Sequence, residues 1–292
     1  MRIPRIYTPE ILSVGATLAL DAQSSRHFLS VLRAKPGAEL LLFNGRGGEY
    51  RATLLDHREI SENAQHLIQS LGNKTGNKID KGSGKKPDKT SIKKSSKQLK
   101  TAKAIKIATV MVTEFVDVNR ESPLSIELGI GISRGERMDW LLQKSTELGV
   151  QKITPLFTER TEVKLDSERR EKKYAHWRRI IMSACEQSGR TRLPELAEPV
   201  ALLDWHPEAK LRFVLDPQAK EQLGHYKERC NMGNSPTELA LLVGPEGGLS
   251  DDEVAQSIGE GFVGVRLGPR ILRTETAPLA AITQCQTLWG DL

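Results

Sequence analysis

Two glycine-bearing stretches near the C-terminus contain the residues best suited to build a ligand site. Residues 239–254 run from an apolar segment through Gly-Pro-Glu-Gly-Gly to an acidic helix start, and residues 265–279 run through Leu-Gly-Pro-Arg-Ile-Leu-Arg to a second helix start. Each stretch has the order strand, loop, helix. Loops at the carboxyl ends of parallel strands are the usual ligand site of an open α/β sheet. The spacing therefore predicts one ligand site formed by two adjacent strand ends.

The residues after the first loop argue against a phosphate ligand. The sequence lacks the Gly-x-Gly-x-x-Gly and Gly-Lys-Ser/Thr patterns of phosphate-binding loops. Ser250 and Glu253 form a capping-box pattern, and Asp251, Asp252 and Glu253 bring three carboxylates to the positive end of the helix dipole. The loop favours an uncharged or cationic ligand held by backbone groups, such as a nucleoside that bears a sulfonium. A tight turn that needs its glycines for geometry alone is the alternative.

The second stretch places cations next to this site. Arg270 and Arg273 flank an Ile-Leu pair, and Glu275 follows two residues after Arg273. Arg273 and Glu275 could form a simple ion pair. An arginine at a loop tip is also suited to hold a phosphate or an anionic base, because its planar fork donates several hydrogen bonds.

The composition limits the class of protein. The 292 residues allow one large domain or two ordinary ones, and an apolar fraction of 38% is enough for a core. No window approaches the roughly 20 apolar residues of a membrane span, and the N-terminus lacks the apolar region of a secretion signal. Cys185, Cys230 and Cys285 lack the spacing of a metal clip or a disulfide framework. These features predict a cytoplasmic protein with no membrane segment and no metal.

The positive charge of the chain is concentrated in one segment. Residues 72–108 carry twelve lysines and two aspartates, a net +10, so the rest of the chain is −4 when the whole is +6. The stretch from about 58 to 105 has few apolar side chains and many like charges, which predicts a disordered insertion. This tract could contact phosphates non-specifically through counterion release, or it could be a solvated loop with no dedicated role.

The residues on either side of the insertion predict a small β-rich domain. Apolar residues 38–43, a glycine-rich turn and alternating residues 49–55 form a hairpin pattern, and residues 25–33 suit a short helix. The strand-like residues 107–118 would complete the same domain. Its arginines are either solvated surface charge or contacts to RNA.

From residue 119 the pattern changes to alternating strands and helices. Strands over 124–132 and 150–157 flank a helix over 138–148 that ends at Gly149. This β-α-β unit is typical of a parallel sheet. A long charged helix and strands over 211–215 and 238–243 follow.

Several motifs in the same order along the chain resemble the RsmE family, the uridine-N3 methyltransferases of 16S ribosomal RNA within the SPOUT superfamily. The loops read Leu-Val-Gly-Pro-Glu-Gly-Gly-Leu-Ser at 242–250 and Leu-Gly-Pro-Arg-Ile-Leu-Arg-Thr-Glu-Thr-Ala at 267–277. The resemblance extends over residues 133–138, 143–149, 153–160 and 184–190, and residues 2–7 and 27–33 resemble the family's N-terminal PUA-like domain. The Lys-rich insertion is a departure from the family pattern.

The resemblance implies a PUA-like RNA-binding β-barrel domain over residues 1–118 and a SPOUT α/β trefoil-knot domain over residues 119–292. It also implies S-adenosylmethionine as cofactor, 16S rRNA of the 30S ribosomal subunit as substrate, and a homodimer with its active site near the interface. The implied cofactor-binding residues are Leu156, Thr158, Val243, Gly244, Pro245, Glu246, Gly247, Gly248, Leu267, Gly268, Ile271, Leu272, Arg273 and Thr274.

The implied reaction transfers a methyl group to uridine N3, which carries a weakly acidic proton and is hidden by Watson–Crick pairing. The candidate catalytic residues, which would stabilise the anion or accept the proton, are Arg273, Arg134, Arg190, Glu186 and Glu275, with Arg273 first. The candidate RNA-binding residues are Arg2, Arg5, Arg33, Arg137 and Arg160. The alternatives are a SPOUT enzyme acting on tRNA or 23S rRNA, and a non-catalytic ribosome-assembly factor that binds RNA.

Overall fold

The structure is a computed structural model that describes residues 3–61, 104–163, 167–226 and 237–292. Arg2, Cys230 and most of the predicted insertion lie outside the described residues. The chain divides into two compact units, one comprising Met1–Asn44 and Gly48–Asp117, the other Gly45–Gly47 and Val118–Leu292.

The first unit is built on a five-stranded sheet with the order β1-β3-β4-β5-β2. Its elements are β1 (Arg5–Tyr7), β2 (Thr17–Ala19), α1 (Ala22–Arg26), a π-helical turn (His27–Val31), β3 (Glu39–Phe43), β4 (Glu49–Ser61) and β5 (Ala104–Val116). The predicted hairpin is confirmed, since β3 and β4 pair antiparallel. The strand predicted after the insertion is also confirmed, because β5 pairs with both β4 and β2.

The insertion is narrower than its composition predicts. β4 and β5 pair from Glu49 with Val116 to Ser61 with Ala104, so residues 58–61 and 104–105 belong to strands. The limits of 58 and 105 are therefore wrong. Low apolar content misleads here because the cross-strand pair of Glu59 and Lys106, 3.8 Å apart, replaces apolar contact in an exposed part of the ladder. The predicted disorder concerns residues outside the described part.

Apolar side chains from the strands and from the π-helical turn form the core of the first unit, around Phe28, Leu40, Leu42 and Leu54. A buried serine, Ser25, fixes α1 against the sheet, because its hydroxyl donates to the carbonyl of Leu20 and accepts the N–H of Ala108. The helix is thus held by hydrogen bonds as well as by packing.

The second unit contains an eight-stranded sheet in which every pairing is parallel. The strand order is β11-β13-β10-β12-β6-β7-β8, and β9 also pairs with β7. The strands are β6 (Ser125–Gly131), β7 (Lys152–Phe157), β8 (Glu195–Leu196), β9 (Val200–Ala201), β10 (Leu211–Leu215), β11 (Glu221–Gln222), β12 (Glu238–Val243) and β13 (Val263–Arg266). The helices are α2 (Gly135–Glu147), α3 (Ser167–Ser188), α4 (Asp251–Gly259) and α5 (Ala277–Trp289).

The central strands of this sheet are nearly continuous apolar runs, which is typical of a parallel sheet buried on both faces. Ile126, Leu128 and Ile130 of β6 are fully buried, as are Leu239 and Leu241 of β12. None of the described helices is long and apolar enough to cross a membrane. The described residues also contain no cluster of three or more His, Cys, Asp or Glu side chains that could hold a metal ion.

A buried glutamine of the last helix ties three elements of the second unit together. Gln286 on α5 is fully buried, and its Nε2 donates to the carbonyl of Leu148 at the end of α2 over 2.9 Å. Its Oε1 accepts a 2.7 Å hydrogen bond from the hydroxyl of Ser122, which in turn accepts the N–H of Leu124 just before β6. The C-terminal helix therefore fixes the position of β6 through polar contacts.

We expect Gln286→Leu to destabilise the second unit by about 1–3 kcal/mol, because the substitution removes the donor to the Leu148 carbonyl and the acceptor of the Ser122 hydroxyl at half-buried positions. Urea unfolding measures the change. Thr287→Val, on the exposed side of the same helix, is the control and should change stability by less than about 0.5 kcal/mol. Equal stability of the two variants would contradict the structural role of Gln286.

Candidate functional site

The carboxyl ends of β10, β12 and β13 lie at the same edge of the sheet and surround a cleft of about 390 Å³. This volume lies within the range of small-molecule sites. The sequence analysis places β12 and β13 side by side, and this is wrong, because β10 lies between them and pairs with both. The site consequently has a third wall.

The third wall is the turn after β10, which sequence analysis missed. Residues 215–218 line the cleft. The N–H of Asp216 donates to the carbonyl of Val265 over 3.0 Å, and Oδ1 of Asp216 accepts the N–H of Gln218 over 2.8 Å. The signal for this wall was the Asp-Pro pair directly after a five-residue apolar strand. Its place between the other two walls depends on strand order, which spacing along the chain does not give.

The first glycine loop has no room for side chains at its base. A Cβ on Gly244 would lie 2.7 Å from the backbone carbon of Gly248 and from the nitrogen of Leu249. Gly248 has a φ of 71°, and its N–H closes the turn on the carbonyl of Pro245 over 2.9 Å. The glycines are thus required for the turn, and the same turn also lines the cleft with backbone groups.

Contacts with the neighbouring turn after β7 brace this loop and the helix that follows it. Arg160, for which RNA binding stays a prediction, donates from Nη1 to the carbonyls of Gly247 and Leu249, over 2.9 and 3.1 Å. Glu253 completes the predicted capping box by accepting the N–H of Ser250, and its other oxygen accepts the N–H of Glu159 over 2.8 Å. The acidic first turn of α4 therefore stabilises the loop as well as the helix.

The carboxylate of Glu246, within the loop, connects the loop to the turn after β6. Oε1 of Glu246 accepts the N–H of Arg134 over 3.0 Å and the Nη1 of Arg137 over 3.1 Å. Nε of Arg137 also lies 3.9 Å from Glu275 on the loop after β13. Burial raises the pKa of Glu246, but hydrogen bonds from the Arg134 and Glu246 N–H groups and the charge of Arg137 outweigh it, so the pKa lies below its ordinary 4.5.

Most of the predicted cofactor-binding residues line the cleft. Three do not: Leu156 is fully buried in β7, Thr158 bonds to Thr161, and the side chain of Arg273 is 82% exposed beyond the cleft wall. The predicted residues that line it are Val243, Gly244, Pro245, Glu246, Gly247, Gly248, Leu267, Gly268, Ile271, Leu272 and Thr274. The lining residues that are not among the predicted cofactor-binding residues include Arg160, Asp216, Gln218, Asp251, Arg266 and Arg270.

The predicted catalytic residues fall into two groups. Glu275 and Arg273 belong to a chain of opposite charges near the cleft, because Arg137 joins Glu246 to Glu275, and Glu275 lies 4.0 Å from Arg273. Arg134 is attached to this chain only through its backbone N–H on Glu246, since its guanidinium pairs with Glu162. Glu186 and Arg190 lie on or just after α3 and do not line the cleft. The structure therefore brings only the first group together.

Arg190 occupies a buried ion pair. Its side chain is 4% exposed and donates to Oε2 of Glu121 from both Nε and Nη2, over 2.9 and 2.6 Å. Its Nη1 also donates to the carbonyls of Thr146 and Val150. The second oxygen of Glu121 accepts the N–H groups of the two residues after Arg190. These bonds give Arg190 a structural role at the start of the second unit.

The candidate RNA-binding arginines of the first unit differ in exposure. The side chain of Arg5 is 6% exposed, pairs with Glu49 at 3.2 Å and lies over the ring of Phe43. Its charge is therefore neutralised within the unit. Arg33 is exposed and has a left-handed φ of 56°. Arg2 lies outside the described residues.

Comparison with known proteins identifies the family. The model of an RNA methyltransferase domain matches residues 120–286, and that of an RNA methyltransferase PUA domain matches residues 20–60. Ribosomal RNA small subunit methyltransferase E of Buchnera aphidicola (subsp. Schizaphis graminum) is 34% identical over 100% of this chain and 98% of its own. The chain belongs to the RsmE family of RNA methyltransferases.

Two solved structures extend the comparison to the fold. Ribosomal RNA small subunit methyltransferase E from Neisseria gonorrhoeae, bound to S-adenosyl methionine, is 35% identical over 99% of both chains, with a TM-score of 0.73. A putative methyltransferase from Legionella pneumophila, solved with bound SAM, is 36% identical over 100% of both chains, with a TM-score of 0.77. The predicted class, a PUA-like unit followed by a SPOUT trefoil-knot unit, is confirmed for this RsmE-family chain.

We expect Glu121→Ala to destabilise the protein by about 3–5 kcal/mol, because it leaves the guanidinium of Arg190 buried without its counter-charge. Urea unfolding of the purified protein checks this value. Glu168→Ala removes an exposed carboxylate that pairs with Lys172 on α3, and should cost less than about 1 kcal/mol. A loss of similar size in both variants would argue against a buried structural pair.

The lowered pKa of Glu246 predicts a pH-dependent contribution to stability. The contribution is fully present above the ordinary pKa of 4.5 and is lost as the pH falls through the lower pKa of the folded state. Wild type should therefore be more stable than Glu246→Gln at pH 6–7, and this difference should shrink on acidification. Unfolding midpoints measured across an acid pH series test the trend. A stability difference between the two proteins that does not change with pH would contradict a lowered pKa for Glu246.

Proposed function

We propose that this protein transfers a methyl group from S-adenosylmethionine to N3 of a uridine in 16S ribosomal RNA. Membership of the RsmE family supports the reaction, and the names of the relatives support the small-subunit substrate. The observation that carries the proposal is the cleft at the ends of β10, β12 and β13, whose walls are the glycine loop, the turn after β10 and the loop after β13.

The residues of the cleft fit the proposed cofactor. Aliphatic side chains such as Val243, Leu267 and Leu272 can contact a flat purine, and the backbone of residues 244–249 offers hydrogen bonds without side chains in the way. The acidic groups Glu246 and Asp251 at the same cleft suit a cationic ligand better than a pyrophosphate. When bound, S-adenosylmethionine supplies a methyl group activated by a sulfonium.

The protein must expose N3 and stabilise the charge that forms when its proton leaves. Arg273 is suited to this role, since its exposed guanidinium extends from a loop that begins at the cleft. Glu275 is 22% exposed and lies between Arg137 at 3.9 Å and Arg273 at 4.0 Å. We therefore assign Arg273 to anion stabilisation and Glu275 to the orientation of Arg273.

The proposal includes the setting of the reaction. Following the family resemblance, we propose that a cytoplasmic homodimer acts on the assembled 30S subunit, where the target base is unpaired or flipped out. The PUA-like unit would contact RNA. Of its candidate RNA-binding residues, Arg33 is the one that is exposed in the described part of the structure.

The deciding assay incubates the protein with S-adenosylmethionine and 30S subunits from a strain that lacks the modification. We expect 3-methyluridine in the digested 16S RNA, and a reverse-transcription stop at one site, because an N3 methyl group blocks Watson–Crick pairing. Methylation only of tRNA or 23S rRNA would contradict the proposal that 16S ribosomal RNA is the substrate. Cofactor binding without methylation of any RNA would favour a non-catalytic assembly factor.

We expect Arg273→Ala to lower the rate of 3-methyluridine formation about 100- to 1,000-fold, because it removes the charge that stabilises the anion. Binding of S-adenosylmethionine, measured by calorimetry, should be nearly unchanged. Arg178→Ala removes an exposed arginine on α3 away from the cleft and serves as the control. Full activity of Arg273→Ala would remove Arg273 from the catalytic residues.

A further inference from the structure

Arg266 is a charged residue in the wall of the cleft that the proposed reaction does not use. It is the last residue of β13, it is half-buried, and it lines the cleft. Its Nε is buried without a hydrogen-bond partner, and no ion pair involves its guanidinium within the described residues. A buried cationic donor without a partner is costly. A ligand with an anionic group would remove this cost.

The other two arginines of the cleft are not equivalent to Arg266. Arg160 uses its guanidinium to hold the carbonyls of Gly247 and Leu249. Arg270 is exposed on the loop after β13. Arg266 is therefore the cleft arginine that is both half-buried and, among the described residues, uncommitted.

A carboxylate lies at the end of the neighbouring strand. Leu215 of β10 pairs with Val265 of β13, so Asp216 and Arg266 follow paired residues on adjacent parallel strands. Both line the cleft, and within the described residues they form no ion pair with each other. Oδ1 of Asp216 accepts the N–H of Gln218. The cleft thus contains a cation and an anion at the ends of adjacent strands that, within the described residues, form no ion pair with each other.

We propose that Arg266 and Asp216 form a subsite for the α-amino-acid end of the methyl donor. Arg266 would bind the α-carboxylate, for which a guanidinium is the best-matched partner, and Asp216 would accept the α-ammonium. This inference rests on the proposed function, because it assigns one part of that cofactor. An RNA phosphate is the less suitable partner, because the half-buried guanidinium lies in the cleft wall, whereas the exposed arginines lie on the outer loop.

Calorimetry with two nucleosides tests the subsite. S-adenosylhomocysteine carries the amino-acid end, whereas 5′-methylthioadenosine has the same nucleoside and sulfur without it. We expect Arg266→Ala to weaken S-adenosylhomocysteine about 10- to 100-fold and to leave 5′-methylthioadenosine within about twofold. Asp216→Asn should show the same selectivity with a smaller loss. Arg178→Ala should change neither affinity.

Each other outcome has a definite meaning. If Arg266→Ala loses the same affinity for both nucleosides, or loses affinity for neither, the proposed subsite is contradicted. A defect of this variant that is confined to RNA binding would contradict it as well. If Arg266→Ala does not fold, Arg266→Lys keeps the charge but not the fork, and should weaken only S-adenosylhomocysteine. Failure of the wild-type protein to bind S-adenosylhomocysteine at all would instead contradict the proposed function.

Discussion

The close approach of two backbone segments sets the geometry of the whole cleft. Gly131, at the end of β6, lies against Pro245, and a Cβ on Gly131 would overlap the nitrogen of Pro245. Any side chain at Gly131 would push the glycine loop away from β6. The N–H of Arg134 could then no longer reach Glu246, and the contacts of the loop with Arg160 would be strained as well. The absence of a side chain at Gly131 therefore allows the glycine loop after β12 to contact the residues that follow β6 and β7 as well.

Around this contact, three carboxylates are held by hydrogen bonds or ion pairs with other groups of the protein. Glu246, Glu253 and Glu275 each lie within bonding or ion-pair reach of groups from another loop or strand end. Pairs of this kind that are partly exposed contribute little to overall stability. Their effect is local: Arg273 keeps most of its surface exposed, while Nη1 of Arg160 holds two carbonyls of the glycine loop.

Sequence reasoning predicts local features well and spatial neighbours poorly. The capping box of Ser250 and Glu253, the hairpin of β3 and β4, and the glycine loop as a cleft wall follow from residue type and short spacing, and the structure contains all three. The position of β10 between β12 and β13 depends on how the sheet assembles. The burial of Arg190 and Arg5 depends on Glu121 and Glu49, which lie 69 and 44 residues away along the chain. A charged residue gives no sign in the sequence of such a distant partner.

The pairing of Ser61 with Ala104 holds together the two ends of the segment that connects β4 and β5. The chain leaves and re-enters the ladder at neighbouring points, so the segment between them closes a loop whose ends the sheet already holds together. The entropy cost of such a loop rises only with the logarithm of its length, by about 0.6 kcal/mol for each doubling. The ladder between β4 and β5 can thus keep its register while the connecting segment changes in length, and this connection is a natural position for gain or loss of sequence.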